Sequence, residues 1–179
     1  PENGYLTHFG RSFPWMFWAG GAGWNIRPFY EYAMLTGNET FLKEHVFPLY
    51  REMAGFYEDY LIMGCDSLYH ICPSVSPENA PPGTDTWLSK DATMDVAIAG
   101  EVFDLLLEMG HKFHVDKKEL ERWSHYLQHL PAYRINNDGA LAEWIDPRYP
   151  DVYNHRHLSH LYPVFPGSRL GKSKGDSRL

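Results

Sequence analysis

Residues 39–63 read ETFLKEHVFPLYREMAGFYEDYLIM. Leu42, Val46, Leu49, Met53, Phe56, Tyr60 and Met63 recur there at intervals of four and three. That is the helical period, so the stretch predicts an amphipathic helix with one apolar face. Pro48 lies inside it. Proline lacks an amide hydrogen and its ring crowds the preceding turn, so a kink or a junction of two helices is expected there. Gly64 is the expected end.

On the N-terminal side, residues 1–14 are punctuated by Gly and Pro and read as loop. Residues 15–35, WMFWAGGAGWNIRPFYEYAML, predict a helix from about Gly23 to Leu35, kinked or started near Pro28. Gly37 suits the helix stop. Asn38 suits an N-cap for the next helix, and Glu39 favours its positive end. On the C-terminal side, residues 65–91 hold Pro73, Pro77, Pro81, Pro82 and Gly83 and predict a long loop. A loop of that length in a compact domain is usually functional or mobile. Met94, Ile98, Val102, Leu105, Leu106 and Met109 return to helical spacing over 92–109. Asp116 then opens a further helix, with Glu119 placed as in a capping box. Leu120, Trp123, Leu127 and Leu130 form its stripe, and Pro131 stops it. From 132 to 167 we expect loops, a short strand pair around Asn137-Asp138-Gly139 and a helical turn near His157–Tyr162. Residues 168–179 form a polar tail. The fold class expected is all-α, with helices in antiparallel pairs joined by long loops.

A chain of 179 residues is one domain or a piece of a larger one. Its net charge of −7 opposes a phosphate-binding surface, because nucleic-acid binders need clustered cations. Cys65 and Cys72 are too few for a disulfide framework, and no C-x2-C zinc spacing exists. No apolar run approaches the roughly 18 residues of a membrane span. Neither a nucleic-acid partner nor membrane insertion is therefore expected. A chain that opens on Pro1 rather than Met is expected to have lost its true start.

Two stretches carry chemistry. In PSVSPEN, residues 73–79, Glu78 follows Pro77 on a loop with little backbone freedom. A carboxyl group used as a proton donor must be held still and kept protonated, and partial burial raises its pKa towards that state. The plain alternative is a solvated glutamate in a turn. In NHRHLSHLYPVFPG, residues 154–167, His155, His157 and His160 flank Arg156. Three readings stand open: a metal site completed by Glu143 or Asp151, loop histidines bonded to backbone, or recognition of sugar hydroxyls. Arg156 opposes the metal, because it places a permanent cation among the ligands. Neutral imidazole both donates and accepts, as a hydroxyl does, which favours the sugar. Trp15, Trp18, Trp24 and Trp144 offer rings for stacking or for the core.

Taken in order, GGAGWNI, TGNETFL, PSVSPEN, ATMDVAI, LPAYRI, GALAEW and NHRHLSHLYPVFPG resemble glycoside hydrolase family 95, the inverting α-L-fucosidases and related α-L-galactosidases. The likeness runs from about residue 15 to 167, and SPEN and HRHLSHLYP are its sharpest elements. It implies a partial (α/α)6 barrel, an oligosaccharide or glycoconjugate substrate, and no cofactor or metal. It implies that Glu78 is the general acid and that the HRH-x-SH segment contacts the sugar, with His155, Arg156 and His157 as candidates. A pocket tryptophan is also implied, for which Trp15 and Trp24 are candidates. Asp95 of the MD motif fits a supporting or helix-start residue.

An inverting glycosidase also needs an activated water on the opposite face of the sugar. In the family, asparagines of an N-x-N motif and an aspartate in a QIDGNFG-like segment position it. Neither motif occurs in residues 1–179. The expectation is a central segment of a catalytic domain that is inactive alone. The alternative is a truncated remnant or a carbohydrate-binding fragment. The likeness leans towards a secreted or surface location.

Overall fold

The computed structural model describes residues 18–171. Trp15, the loop expected over 1–14 and the last eight residues of the expected tail lie outside them. The described residues form two compact units. One comprises 20–70 and 96–131; the other comprises 18–19, 71–95 and 132–171.

The first unit is helical. Helix α1 spans Gly20–Thr36 with Pro28 inside it, three residues earlier than the expected start. Gly37 ends it at φ +64°, the left-handed conformation that glycine adopts without a Cβ clash. Asn38 caps the next segment, its side chain accepting from the Phe41 amide at 2.9 Å. The single helix expected over 39–63 is three pieces: α2 (Glu39–Phe41), a π turn (Leu42–Val46) and α3 (Phe47–Tyr60). The Phe47 amide reaches back five residues to the Leu42 carbonyl, which inserts one extra residue into the turn. Pro48 then sits in the first turn of α3, where its missing donor costs nothing.

That insertion rotates the apolar face. The buried set is Leu42, Val46, Phe47, Tyr50, Ala54, Tyr57 and Leu61. Phe56 and Met63, expected in the stripe, are 39% and 44% exposed. The helix also stops at Tyr60 rather than Gly64. Leu61 turns extended, and β1 (Ile62–Met63) pairs antiparallel with β2 (Tyr69–His70) in the register Ile62–His70 and Met63–Tyr69. Asp66 shapes the hairpin turn by accepting from the Leu68 amide and meeting His70.

Helix α4 (Thr93–Lys112) is buried almost all round, with Val96, Ala97, Ile98, Ala99, Val102, Phe103, Leu106 and Met109 at 2% exposure or less. Such a helix forms the centre of a core rather than its lid. Helix α5 (Lys117–Gln128) starts at Asp116, whose carboxylate accepts from the Lys118 amide. The expected capping box is replaced by this simple N-cap, and Glu119 turns to Arg51. Trp123 is the residue of α5 that is fully buried.

The second unit is mostly loop around Ile71, Val75, Ala92, Ala142 and Trp144, all wholly buried. Isolated bridges join Ser74 to Ser89, Ser76 to Asn79 and Ala92 to Trp144. The strand pair expected near Asn137 is a single bridge, Ile135–Leu141, closed by Asn136 and by Gly139 at φ +79°. The helical turn expected near His157 is a 3-10 turn at Ser159–Leu161. The described chain is thus mostly helical, with one small two-stranded sheet.

Candidate functional site

The PSVSPEN loop is fastened before it reaches Glu78. Ser74 and Ser89 exchange backbone hydrogen bonds at 2.8 and 2.7 Å. The Ser74 hydroxyl donates to Asp95 at 2.7 Å, and the Val75 amide meets the same carboxylate oxygen at 3.2 Å. Asp95, in the first turn of α4, is wholly buried and so supports the loop from beneath. Taking these donors from a buried carboxylate costs more than an ordinary hydrogen bond is worth. The Asn79 amide then closes a tight turn on the Ser76 carbonyl at 3.0 Å.

Glu78 stands in that turn at φ +54°. A residue with a Cβ adopts this conformation at a cost of about 1–2 kcal/mol, and it persists only where the surroundings over-determine it. His155 supplies part of the determination. Its Nε2 lies 2.6 Å from the Glu78 carbonyl oxygen, and its Nδ1 accepts from the His157 amide at 3.1 Å. A carbonyl only accepts and an amide only donates, so the His155 proton is on Nε2 and both ring nitrogens are engaged.

The Glu78 side chain, 40% exposed, meets Arg156 and His157 through the same carboxylate oxygen. His157 Nε2 lies 2.6 Å from Oε2, and an Arg156 guanidinium nitrogen contacts it directly. The hydrogen bond from His157 holds the Glu78 carboxyl below the usual glutamate range, partial burial pushes it back up, and Arg156 pulls it down again. This corrects the expectation of a carboxyl raised by burial: opposite charge and a donated hydrogen bond outweigh desolvation here.

The third histidine has a different partner. His160 Nδ1 lies 2.6 Å from Oε2 of Glu143, whose other oxygen accepts from the Ser76 hydroxyl. Glu143 is 7% exposed. Its amide donates to Asp151 at 2.9 Å, and its carbonyl accepts from the Thr93 amide at 3.0 Å. In the sequence Glu143 figures only as a possible metal ligand; its pairing was invisible because the partners lie 67 and 17 positions away. The described residues contain no group of three His, Cys, Asp or Glu side chains arranged to hold a metal ion.

Glu78, His155, Arg156 and His157 therefore meet in one unit. Trp24 belongs to the other unit, on α1, and is 43% exposed. Trp15 lies outside the described residues. None of the helices among the described residues is long and apolar enough to cross a membrane.

A family model for the glycosyl hydrolase family 95 catalytic domain matches residues 4–178. The chain is also 32% identical over 164 residues to the Arabidopsis thaliana protein "Alpha-L-fucosidase 2", covering 89% of this chain. It spans 20% of that relative's length. The carboxylate and histidines assembled above are the residues of SPEN and HRHLSH, and the match runs through both; the chain belongs to the family 95 glycosyl hydrolase catalytic domains.

Proposed function

We propose that this segment carries the acid side of an exo-acting glycosidase that hydrolyses terminal α-L-fucosyl, or α-L-galactosyl, residues of glycans with inversion. The observation that carries the proposal is the placement of Glu78: a strained, braced turn presents one carboxylate to a histidine and an arginine. The helices are taken as part of an (α/α)6 barrel. Family membership and the likeness to a plant protein named as an α-L-fucosidase support the sugar class.

In the open site the His157 hydrogen bond to Glu78 Oε2 favours the ionised carboxylate. A sugar covering the pair excludes water. In the lower dielectric the charged carboxylate is disfavoured, so Glu78 takes up a proton from solvent as the sugar binds. Glu78 then delivers it to the departing glycosidic oxygen. Arg156, 69% exposed, is held by little packing and can turn from Glu78 to a sugar hydroxyl as that proton moves. His157 contacts the sugar with it. His155, with both ring nitrogens engaged, braces the Glu78 backbone. Trp15 and Trp24 are the candidates for the family's pocket tryptophan. No cofactor takes part.

The test is Glu78→Gln in the full-length protein. Hydrolysis of a fucosylated oligosaccharide should fall by about 10²–10⁴-fold, the usual worth of a positioned acid. The wild type should first release the β-anomer, read by proton NMR within minutes of mixing. Wild-type rates in the glutamine variant would remove Glu78 from the mechanism.

A further inference from the structure

Glu143 is a buried carboxylate with no part in the proton path just described. Its two oxygens serve two different segments. Oε1 accepts from Ser76, which is 1% exposed and two residues before Glu78. Oε2 meets His160, three residues after His157, at 2.6 Å. The Ser76 carbonyl in turn closes the Glu78 turn through the Asn79 amide. One carboxylate thus ties the root of the acid-bearing turn to the histidine segment. Separating the two would leave a desolvated charge without its donors, which makes the tie stiff. The Glu78–His157 contact spans the same two segments further out.

We propose that Glu143 is a positioning residue: by holding Ser76 and His160 together it fixes the Glu78 carboxylate at hydrogen-bond distance from His157. Its catalytic consequence rests on Glu78 being the general acid, whereas its geometric content does not.

The experiment uses the full-length protein and the variants Glu143→Ala, Glu143→Gln and Ser76→Ala. Two α-L-fucosides are compared, one with a sugar as leaving group and one with dinitrophenolate, which departs without a proton. A misplaced acid should slow the first by about 10²-fold and the second by less than about 3-fold in Glu143→Ala. Glutamine still accepts from Ser76 and can donate to His160, so Glu143→Gln should recover most of the rate. Ser76→Ala cuts one arm and should show the same selectivity more weakly; it carries the comparison if Glu143→Ala does not fold. Equal losses on both substrates would mean general structural damage and would overturn the proposal.

If the wild type cleaves neither substrate, the fucosidase proposal fails, and a second readout decides this one. The His157 ring ¹⁵N resonances report its hydrogen bond to Glu78. In Glu143→Ala, or in Ser76→Ala, they should move towards their positions in Glu78→Gln. Resonances unchanged from the wild type would overturn the positioning role whatever the activity.

Discussion

Three histidines within six positions take three different partners: His155 the Glu78 carbonyl, His157 the Glu78 carboxylate, His160 the Glu143 carboxylate. Their unequal effect on Glu78 is measurable. The His157 hydrogen bond is the largest cause of its lowered pKa, ahead of the Arg156 charge. His157→Ala should therefore raise the Glu78 midpoint more than Arg156→Ala does, in an NMR titration of the side-chain carboxyl. The reverse order would mean that the Arg156 charge dominates over the donated bond. The sign for stability follows. The folded pKa lies below the unfolded glutamate value of about 4.3, so the attraction is fully present above that value. It is lost as the pH falls through the depressed folded value. His157→Ala should accordingly flatten the stability loss in that acid window.

At the scale of elements, two glycines in helices make opposite demands. A Cβ on Gly23 of α1 would lie 2.5 Å from Ile98 Cγ2 and 2.8 Å from the Tyr57 hydroxyl. Gly23 therefore lets α1 approach α3 and α4 within the helical unit, and an alanine there overpacks the core. On α3, a Cβ on Gly55 meets nothing within 4 Å. Gly23→Ala should destabilise by about 1–3 kcal/mol. Gly55→Ala should stabilise by about 0.5–1 kcal/mol, because glycine costs a helix interior that much in backbone entropy. Chemical denaturation of the two variants checks both signs. The helical positions near 42–60, 93–112 and 117–128 were legible from periodicity and caps. The phase of the α3 face was not, because the π turn at Leu42–Val46 shifts every later residue by one position.

For the whole chain, the decisive comparison is with longer relatives. The chain spans a fifth of the length of the Arabidopsis protein that it resembles. An inverting hydrolysis needs groups on both faces of the scissile bond. Residues 1–179 contain neither an N-x-N triplet nor a QIDGNFG-like segment. We predict that the 179-residue chain alone releases no fucose above an inactivated control, whereas the full-length protein does. Release by the short chain would show that its own residues supply the base.

The sequence by itself determined the family, through SPEN and HRHLSHLYP, and the existence and caps of most helices. Both are local: motifs are strings, and the periodicity and capping of a helix reside in residues three or four apart. It also singled out one glutamate and one histidine segment as candidates for the chemistry. Only the tertiary structure decided which histidine serves which carboxylate, since Glu78 and His157 are 79 positions apart and meet through the closure of the chain. Only it revealed that Glu143 is buried and shared between Ser76 and His160, and that the Glu78 carboxyl is lowered rather than raised. Ionisation is a balance of burial against nearby charge, and both quantities are distances in space that no spacing along the chain encodes.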